Sequence, residues 1–466
     1  MIRYTILLII FSPLLVKAQS EALDRQRSRV EHRQRQQAGR MDQAQQDQQD
    51  RIWRRVPGGK EPAKPSRSGA IKTPVNIPDP EYRHMVENHS DIARTHARQL
   101  DTEFLGERIS VRAEWLPDLR LTAGVNEAHI TRAYHILNRV SIPVLLRDLK
   151  RTASERRLND WGYLQWVHTV TGYIYPHDDA ARNLATSWIM QQSGYRSTVS
   201  YDGDRVHLLV QTQQTLYGHS YLDISGIRMY VVNPLGSIPD VRSAHIFEPR
   251  TSRSGRALDM RIQQVPNLPG QSRTRTLSFK YGTKRYTGTI EVNRRVARFY
   301  YSYPLVDWSV YIAAPISDEA IRSLETILRQ PLREVSPRHG WTMKMEQANL
   351  LLHFVQSAFP YRADSESIGK EHYAFAEEML ALPYSDCEDR SALYATLVRE
   401  LLNVEAVGLL FPGHAAVGVD FGRSAPGASV QVEGTRYLVC DPSYIGADIG
   451  MALPQVRGAR LTIVGR

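Results

Sequence analysis

Two stretches of this chain share one short pattern of apolar and polar residues. Leu164–His168 (LQWVH) resembles Leu352–Gln356 (LHFVQ), and Tyr173 and Tyr361 follow at matching distances. Both stretches lie in regions whose apolar residues have helical spacing. A pattern that returns along a chain restricts the fold to one unit used twice, and we interpret it as a diverged internal duplication.

Short β-favouring runs follow each of these helical regions. The last run ends before a proline in both halves, at Asn233-Pro234 and at Asp441-Pro442. Helices followed by consecutive short strands are typical of helices packed on an antiparallel sheet. The sequence therefore predicts an α+β fold for both units.

The stretch between the two units is richer in aromatic and alternating residues. Leu277–Tyr281 alternates apolar and polar residues, and Phe299–Tyr301 and Val310–Ile312 are interpreted as aromatic strands. Gly282 and Gly288 are turn sites between such strands. We therefore expect a small sheet domain inserted between the two α+β units.

Periodicity predicts the other elements. The predicted helices cover 126–149 as one or two helices, 160–170, 317–328, 343–359 and a stretch that begins at 387. The predicted strands cover 206–211, 220–224, 228–232, 404–411, 414–419, 430–432 and 436–441.

The first residues have the pattern of a secretory signal peptide. Arg3 precedes an apolar run from Ile6 to Val16, and Lys17 and Ala18 follow, which predicts cleavage near Ala18. The run is too short to span a bilayer comfortably, so we expect an exported mature protein, periplasmic or extracellular, without a transmembrane segment. A membrane anchor formed by an uncleaved signal is the alternative.

Composition divides the rest of the chain. Residues 19–53 are rich in Gln, Arg and Asp, which favours a disordered or helical arm, and prolines mark a linker after it. The predicted layout is a signal peptide at 1–18, an arm and Pro-rich linker at 19–80, a degenerate α+β domain at 81–240, a β-rich middle domain at 241–330 and a second α+β domain at 331–466.

Only 2 cysteines, Cys387 and Cys440, occur in the 466 residues. A disulfide framework therefore cannot hold so large a chain together, and its core must do so. One disulfide between these two cysteines is an open alternative in an exported protein.

The formal net charge of +10 favours anionic partners. Much of it lies in the predicted arm and in a central stretch that contains Arg250, Arg253, Arg256, Arg273, Arg275, Lys280, Lys284, Arg285, Arg294 and Arg295. For an exported protein, an anionic cell surface or polysaccharide is a more suitable partner than nucleic acid. The alternative is a solvated surface without a specific ligand.

Cys387 has the sequence context of a nucleophile. The run Tyr384–Ser391 (YSDCEDRS) opens a helix in which leucines recur at four-residue spacing, and Ser385 or Asp386 is the candidate N-cap. Cys387 then lies in the first turn, where backbone N–H groups and the helix dipole favour thiolate. The acidic residues around the cysteine oppose its ionisation, so a histidine is required.

His414 and Asp441 complete a candidate triad. A predicted turn precedes the strand that His414 begins, and Asp441 ends the last strand of a predicted hairpin. If the two strands run antiparallel, Asp441 lies next to His414. The three groups then have the roles of nucleophile, general base and acid, and carboxylate that fixes the imidazole tautomer. Alternation turns Cys440 to the opposite face, which argues against a disulfide with Cys387.

The residues around this triad resemble the transglutaminase-like superfamily. The resemblance covers 343–466 and rests on the helix that opens at Cys387, on Gly413-His414 at a strand start and on Asp441-Pro442 at a strand end. The wider order of segments is similar to that of exported transglutaminase-domain proteins of Bacteroidetes-type bacteria. The resemblance implies a papain-type fold in which Cys387 is the nucleophile, His414 the base and Asp441 the orienting acid, without a metal or another cofactor.

The chain departs from this family pattern in both units. Asp386 stands where a glycine usually precedes the cysteine, and alanine stands where a tryptophan usually follows the histidine. In the first unit, His177 aligns near Cys387 and Asn233 aligns with Asp441. The resemblance therefore implies that the first unit is a degenerate, non-catalytic copy.

Two functions from different classes follow. The first is an exported cysteine protease, amidase or acyltransferase that acts on peptide or protein amide bonds through Cys387, His414 and Asp441. The second is a non-catalytic periplasmic or surface binding protein that retains the fold and holds an anionic glycan or protein partner. A nucleic-acid binder is the weakest interpretation, because the chain is predicted to be exported.

Overall fold

A computed structural model of the chain describes residues 97–466 apart from 120, 122–124, 204, 238, 240, 242–243, 250–253, 271, 364–370, 423–424, 457 and 466. The predicted signal peptide, arm and linker lie outside the described residues. All described residues belong to one compact unit. Within them, no helix combines the length and the apolar character needed to cross a membrane.

Helices and strands alternate in groups along the chain. The helices are α1 (Glu127–Asn138), α2 (Pro143–Glu155), α3 (Asp160–Ile174), α4 (Asp179–Gln192), α5 (Arg294–Tyr301), α6 (Trp308–Ile312), α7 (Asp318–Glu334), α8 (Met343–Ala358), α9 (Ala376–Met379) and α10 (Cys387–Leu402). The strands are β1 (Arg98–Phe104), β2 (Glu107–Ala113), β3 (Ser197–Asp202), β4 (Arg205–Val210), β5 (Tyr221–Ile224), β6 (Ile227–Val232), β7 (His245–Phe247), β8 (Ser272–Tyr281), β9 (Lys284–Asn293), β10 (Ala406–Phe411), β11 (His414–Val419), β12 (Ser429–Val432), β13 (Thr435–Cys440) and β14 (Thr462–Val464).

Two five-stranded sheets form the framework, and their strands follow one order. The first sheet has the order β5-β6-β4-β3-β7, and the second has the order β12-β13-β11-β10-β14. All neighbouring strands in both sheets are antiparallel. The chain is therefore α+β, as the sequence predicts, and the strand connections of the first sheet are those of the second.

The pairing of residues also matches between the two sheets. Corresponding pairs are Asp202↔Arg205 with Phe411↔His414, Leu208↔Val232 with Val417↔Cys440, and Val199↔Phe247 with Gly408↔Val464. Asn233, which follows β6, therefore stands where Asp441 follows β13.

A helix packs against each sheet in the same way. α4 contacts β3 and β4, and α10 contacts β10 and β11. Asn183 Nδ2 donates to Val206 O at 2.8 Å in the first sheet, and Ser391 Oγ donates to Ala415 O at 3.2 Å in the second. Val206 and Ala415 are the second residues of their strands, so the two helices occupy equivalent positions.

The middle of the chain contains one hairpin followed by helices. β8 and β9 pair along their full lengths. The predicted aromatic strands at 299–301 and 310–312 are wrong, because these residues lie in α5 and α6. Asn293 Oδ1 accepts hydrogen bonds from amides in the first turn of α5, and Tyr300 stacks on Phe375 with ring centroids 4.4 Å apart. This cap and this burial outweigh the β propensity of the aromatic residues.

The hairpin packs on the helices that flank it. β9 contacts α7, and β8 contacts α8. Phe279 meets Phe354 edge to face with ring centroids 5.2 Å apart. The prediction of a turn at Gly288 is wrong, because Gly288 lies inside β9 and pairs with Leu277. It permits a close approach instead, since a Cβ there would lie 2.5 Å from Cγ1 of Ile327. The hairpin thus shares a core with α8, the helix that precedes the second sheet.

Candidate active site

Cys387 is the first residue of α10. Asp386 is the N-cap, and its backbone N–H donates to Asp389 Oδ2 at 3.3 Å. Asp389 Oδ1 accepts a hydrogen bond of 2.8 Å from the N–H of Ala374, and burial raises the pKa of Asp389 to about 6. These contacts fix the entry into the helix. The thiol consequently lies in the first turn, whose backbone N–H groups have no carbonyl partners within the helix.

The turn between β10 and β11 sets the position of His414. Gly413 has φ 65°, a left-handed conformation that glycine adopts without strain, and Phe411 pairs with His414 across the turn. His414 is therefore the first residue of β11. It directly precedes Ala415, whose carbonyl accepts the hydrogen bond from Ser391 of α10.

His414 and Asp441 form a buried hydrogen-bonded pair. Nε2 of His414 lies 2.7 Å from Oδ2 of Asp441. Asp441 directly follows β13, and β13 is antiparallel to β11, so the end of one strand meets the start of the other as the sequence predicts.

The carboxylate of Asp441 is held by the turn that follows it. Oδ1 accepts hydrogen bonds from the backbone N–H of Ser443 at 3.0 Å, from Ser443 Oγ at 2.9 Å and from the N–H of Tyr444 at 3.0 Å. Burial acts to raise the pKa of Asp441, but the neighbouring His414 and the bonds from Ser443 outweigh it and lower the pKa. Asp441 is thus an anion with a fixed orientation.

The carboxylates of Asp441 and Glu388 both raise the pKa of the His414 imidazole. Burial acts to lower its pKa, but the charge of Asp441, its hydrogen bond and the charge of Glu388 outweigh burial and raise the pKa. The protonated imidazolium is consequently favoured to a higher pH than in an exposed histidine.

The thiol of Cys387 is buried and protonated. Its side chain donates a hydrogen bond from Sγ to Oε2 of Glu388 at 2.8 Å, and only 1% of the residue is exposed. Burial, followed by the negative charges of Glu388 and Asp386, raises the pKa of the Cys387 thiol well above its usual value. A hydrogen bond with the backbone of Ala415 acts in the opposite direction. The helix N-terminus therefore does not make this thiol a thiolate, contrary to the tendency expected from its position.

Two buried polar side chains hold the loop that carries Asp441, a role that the sequence patterns containing them do not indicate. Gln356 Nε2 donates to the carbonyls of Asp441 at 3.1 Å, Tyr444 at 2.9 Å and Ala447 at 3.0 Å. Gln356 Oε1 accepts from the N–H of Gly446 at 3.0 Å. The amide of Gln356 thereby connects α8 to the turn beyond the second sheet.

Arg390 makes the second of these connections. Its guanidinium donates to Ser385 Oγ at 3.1 Å and to the carbonyl of Pro442 at 3.4 Å. It also lies over the ring of Tyr361 at 5.1 Å. Burial lowers the pKa of Arg390 to about 10, so the side chain is still a cation at neutral pH. It is a buried positive charge in the helix turn that carries Cys387.

Neither of the two cysteines forms a disulfide. Both are buried thiols, so the alternative of a disulfide between them does not describe this structure. Cys440 is the last residue of β13, and its Sγ donates to the carbonyl of Leu438 at 3.6 Å. Burial raises the pKa of Cys440 to about 12.

The first sheet has other residues at the three candidate positions. Asp179 begins α4 as Cys387 begins α10, Arg205 begins β4 as His414 begins β11, and Asn233 corresponds to Asp441. The alignment of His177 with Cys387 is wrong, because His177 precedes α4 and is exposed. The first unit has no sulfur at this position.

The candidate site consists of protein side chains. Within the described ranges, no group of three or more His, Cys, Asp or Glu side chains is placed to hold a metal ion. No protein-family model, no curated protein and no solved structure matches the chain.

Proposed function

We propose that this chain is an exported, transglutaminase-like cysteine protease, amidase or acyltransferase that acts on amide bonds through Cys387, His414 and Asp441. One observation supports the proposal most directly. His414 and Asp441 share a hydrogen bond of 2.7 Å, and the sulfur of Cys387 contacts the backbone of Ala415, the neighbour of His414. The candidate nucleophile and the histidine–aspartate pair are thus both linked to the first two residues of β11, which supports the proposal.

The proposed reaction has two steps, and each side chain has one role. Nε2 of His414 is hydrogen-bonded to Asp441, so Nδ1 is the ring nitrogen that would accept the proton of the thiol. In the first step, Sγ of Cys387 bonds to the carbonyl carbon, and its proton passes through His414 to the nitrogen of the amine that leaves. In the second step, water or an acceptor amine loses a proton to His414 and displaces the sulfur. Water gives hydrolysis, and an amine gives acyl transfer.

The start of α10 supplies a site for the negative oxygen of the intermediate. The backbone N–H of Cys387 belongs to the first turn, whose amides lack helical partners one turn earlier. Such N–H groups stabilise an oxyanion next to a nucleophile. The proposal assigns this role to the N–H of Cys387.

The buried thiol adds one requirement to the proposal. Cys387 is 1% exposed and donates to Glu388, so the sulfur has to become accessible and exchange this bond before it reacts with a substrate or with an alkylating reagent. The raised pKa of His414 adds a second requirement, because the neutral imidazole is the base. We expect the rate to increase with pH as His414 loses its proton.

Alkylation of the full chain tests the proposal. Iodoacetamide modification of each thiol is followed by peptide mass spectrometry, and Cys387 is expected to react much faster than Cys440. His414→Ala should slow the reaction of Cys387 by about tenfold or more and leave Cys440 unchanged. His353→Ala is the matched control, since His353 pairs with Asp448 at 2.8 Å. Equal and slow labelling of both cysteines would contradict the proposal.

A non-catalytic protein that retains the fold is the second candidate. The protonated, buried thiol of Cys387 favours it, because an inert structural cysteine has these properties. This candidate predicts that Cys387→Ala leaves the biological role intact. The enzyme proposal predicts that the same substitution abolishes it.

A further inference from the structure

Two adjoining cavities form a cleft beside the β8–β9 hairpin. Their volumes are about 540 and about 450 Å³. Arg294, Ala297 and Ala381 line both cavities, so the two adjoin at the first half of α5. The opposite wall is the segment from Leu380 to Pro383, which leads from α9 towards α10. We name the two cavities together the arginine cleft.

Five arginines line the arginine cleft. They are Arg273, Arg275, Arg294, Arg295 and Arg298. Among the described residues, none of the five has a carboxylate within ion-pair distance, in contrast to Arg338, which pairs with Glu346 at 3.0 Å and with Asp448 at 2.8 Å. Like charges that face one cavity without counter-charges repel each other, so this arrangement lacks the compensation that other arginines of the chain have.

Two of these arginines are fixed by backbone carbonyls. Arg275 donates from Nη1 to the carbonyls of Leu380 and Leu382, both at 2.7 Å. Arg295 donates from Nη2 to the carbonyl of Gly106 at 2.7 Å. Carbonyl bonds hold a guanidinium in place and leave its positive charge uncompensated. Burial, followed by the charge of Arg273, lowers the pKa of Arg275, which agrees with repulsion inside the cleft.

The other three arginines, Arg273, Arg294 and Arg298, are exposed. No hydrogen bond to a described residue engages the side chains of Arg273 and Arg294, although both line the first cavity. A carboxylate also lines the second cavity, that of Glu378. It is buried, with Oε1 at 2.7 Å from His372 and Oε2 accepting from Phe375 N–H at 3.2 Å, so its oxygens are directed to other groups.

The other described members of the basic stretch identified in the sequence do not line the cleft. Arg256 pairs with Asp160 at 2.6 Å, and Lys284 pairs with Glu334 at 3.0 Å. Arg250 and Arg253 lie outside the described residues. Lys280 and Arg285 pair across the hairpin and line neither cavity. Four of the six described members of the stretch that have no ion-pair partner therefore line the arginine cleft, and a concave surface lined by one sign of charge attracts anions.

We propose that the arginine cleft is a binding site for a small ligand that carries at least two phosphate or carboxylate groups. Guanidinium groups match the oxygens of both kinds of group in bidentate geometry. Val292, Ala297 and Leu380 supply apolar surface between the charges, which suits an organic body between the anionic groups. The proposal does not depend on catalysis by Cys387.

Calorimetric titration of the full chain tests this proposal with two probes. Inorganic pyrophosphate represents the phosphate source, and citrate represents the carboxylate source. The cleft variant Arg273→Gln/Arg294→Gln removes two cations of the arginine cleft that have no hydrogen-bonded partner among the described residues. The control variant Arg322→Gln/Arg329→Gln removes two exposed cations of α7 that pair with Glu319 and Glu325. Both variants lose the same formal charge.

The proposal expects saturable binding of at least one probe by the unchanged protein. The cleft variant should bind that probe at least about tenfold more weakly, and the affinity of the control variant should stay within about twofold of that of the unchanged protein. Binding of only one probe identifies the phosphate or the carboxylate source. Absence of saturable binding by both probes, or equal losses in the two variants, would overturn the proposal.

Discussion

The sulfur of Cys387 donates a hydrogen bond to its immediate neighbour Glu388, with Sγ and Oε2 2.8 Å apart. The same carboxylate raises the pKa of His414. Glu388 therefore acts on both groups that would exchange a proton in catalysis, and it favours the protonated form of each. The resting site is one in which the nucleophile is held as a thiol.

Removal of this charge should activate the thiol. In Glu388→Gln, the negative charge that raises the pKa of Cys387 is absent, so alkylation near pH 7.5 should be faster by roughly an order of magnitude. The rate is measured with iodoacetamide over a range of pH. Glu405→Gln is a suitable control, because Glu405 accepts from Tyr437 instead. An unchanged or slower reaction of Cys387 would show that Glu388 does not control the sulfur.

Asp441 should determine the protonation of His414. Asp441→Asn keeps the shape of the side chain but removes the charge and the acceptor that raise the pKa of His414, so the pKa should fall. NMR titration of the histidine rings measures this change. Asp448→Asn, which alters the partner of His353, should leave the titration of His414 as it was. A His414 pKa that stays the same in Asp441→Asn would exclude the orienting role.

Gln356 should contribute to stability well beyond its size. Gln356→Leu leaves the carbonyls of Asp441, Tyr444 and Ala447 without their donor, and we expect a loss of about 2–4 kcal/mol in the free energy of unfolding. Urea denaturation measures the loss. Gln330→Leu, on the exposed face of α7, should change the stability by less than about 0.5 kcal/mol. A loss in Gln356→Leu as small as in this control would contradict the role assigned to the amide.

The free energy of unfolding should decrease at alkaline pH. Burial raises the pKa of Tyr163 and of Cys440 to about 12, and burial also raises the pKa values of Tyr300 and Tyr311. The unfolded chain releases these protons near pH 9–10, whereas the folded chain retains them. The stabilisation is therefore complete below the unfolded pKa values and is lost as the pH rises towards the folded ones. Urea denaturation at pH 8 and pH 10.5 measures it, and Tyr163→Phe should reduce the difference.

The sequence predicts seven of the ten strands in the two sheets, because local patterns determine those elements, but it does not predict β3, β7 and β14. The strands around His414 and the helix that starts at Cys387 agree with the structure to within a few residues. Gly413 and the proline after Asp441 mark strand ends through backbone geometry alone, which is readable without tertiary contacts. The hydrogen bond between His414 and Asp441 then follows from antiparallel pairing.

Features that depend on distant packing are not readable in this way. Tyr300 lies in α5 because Phe375, far along the chain, stacks on it. The burial of Cys387 and its bond to Glu388 depend on how α10 rests on β11, and a helix start by itself favours the opposite ionisation state. The connections made by Gln356 and the convergence of arginines at α5 likewise join segments that are separate in sequence.

The matching registers of the two sheets have a consequence for how this chain can vary. The strand positions that the two registers match carry different residues in the two halves. The positions of Cys387, His414 and Asp441 in the second half correspond to those of Asp179, Arg205 and Asn233 in the first half. The strand order shared by the two sheets therefore forms with a reactive group at each of these positions in one half and with a different residue at each in the other.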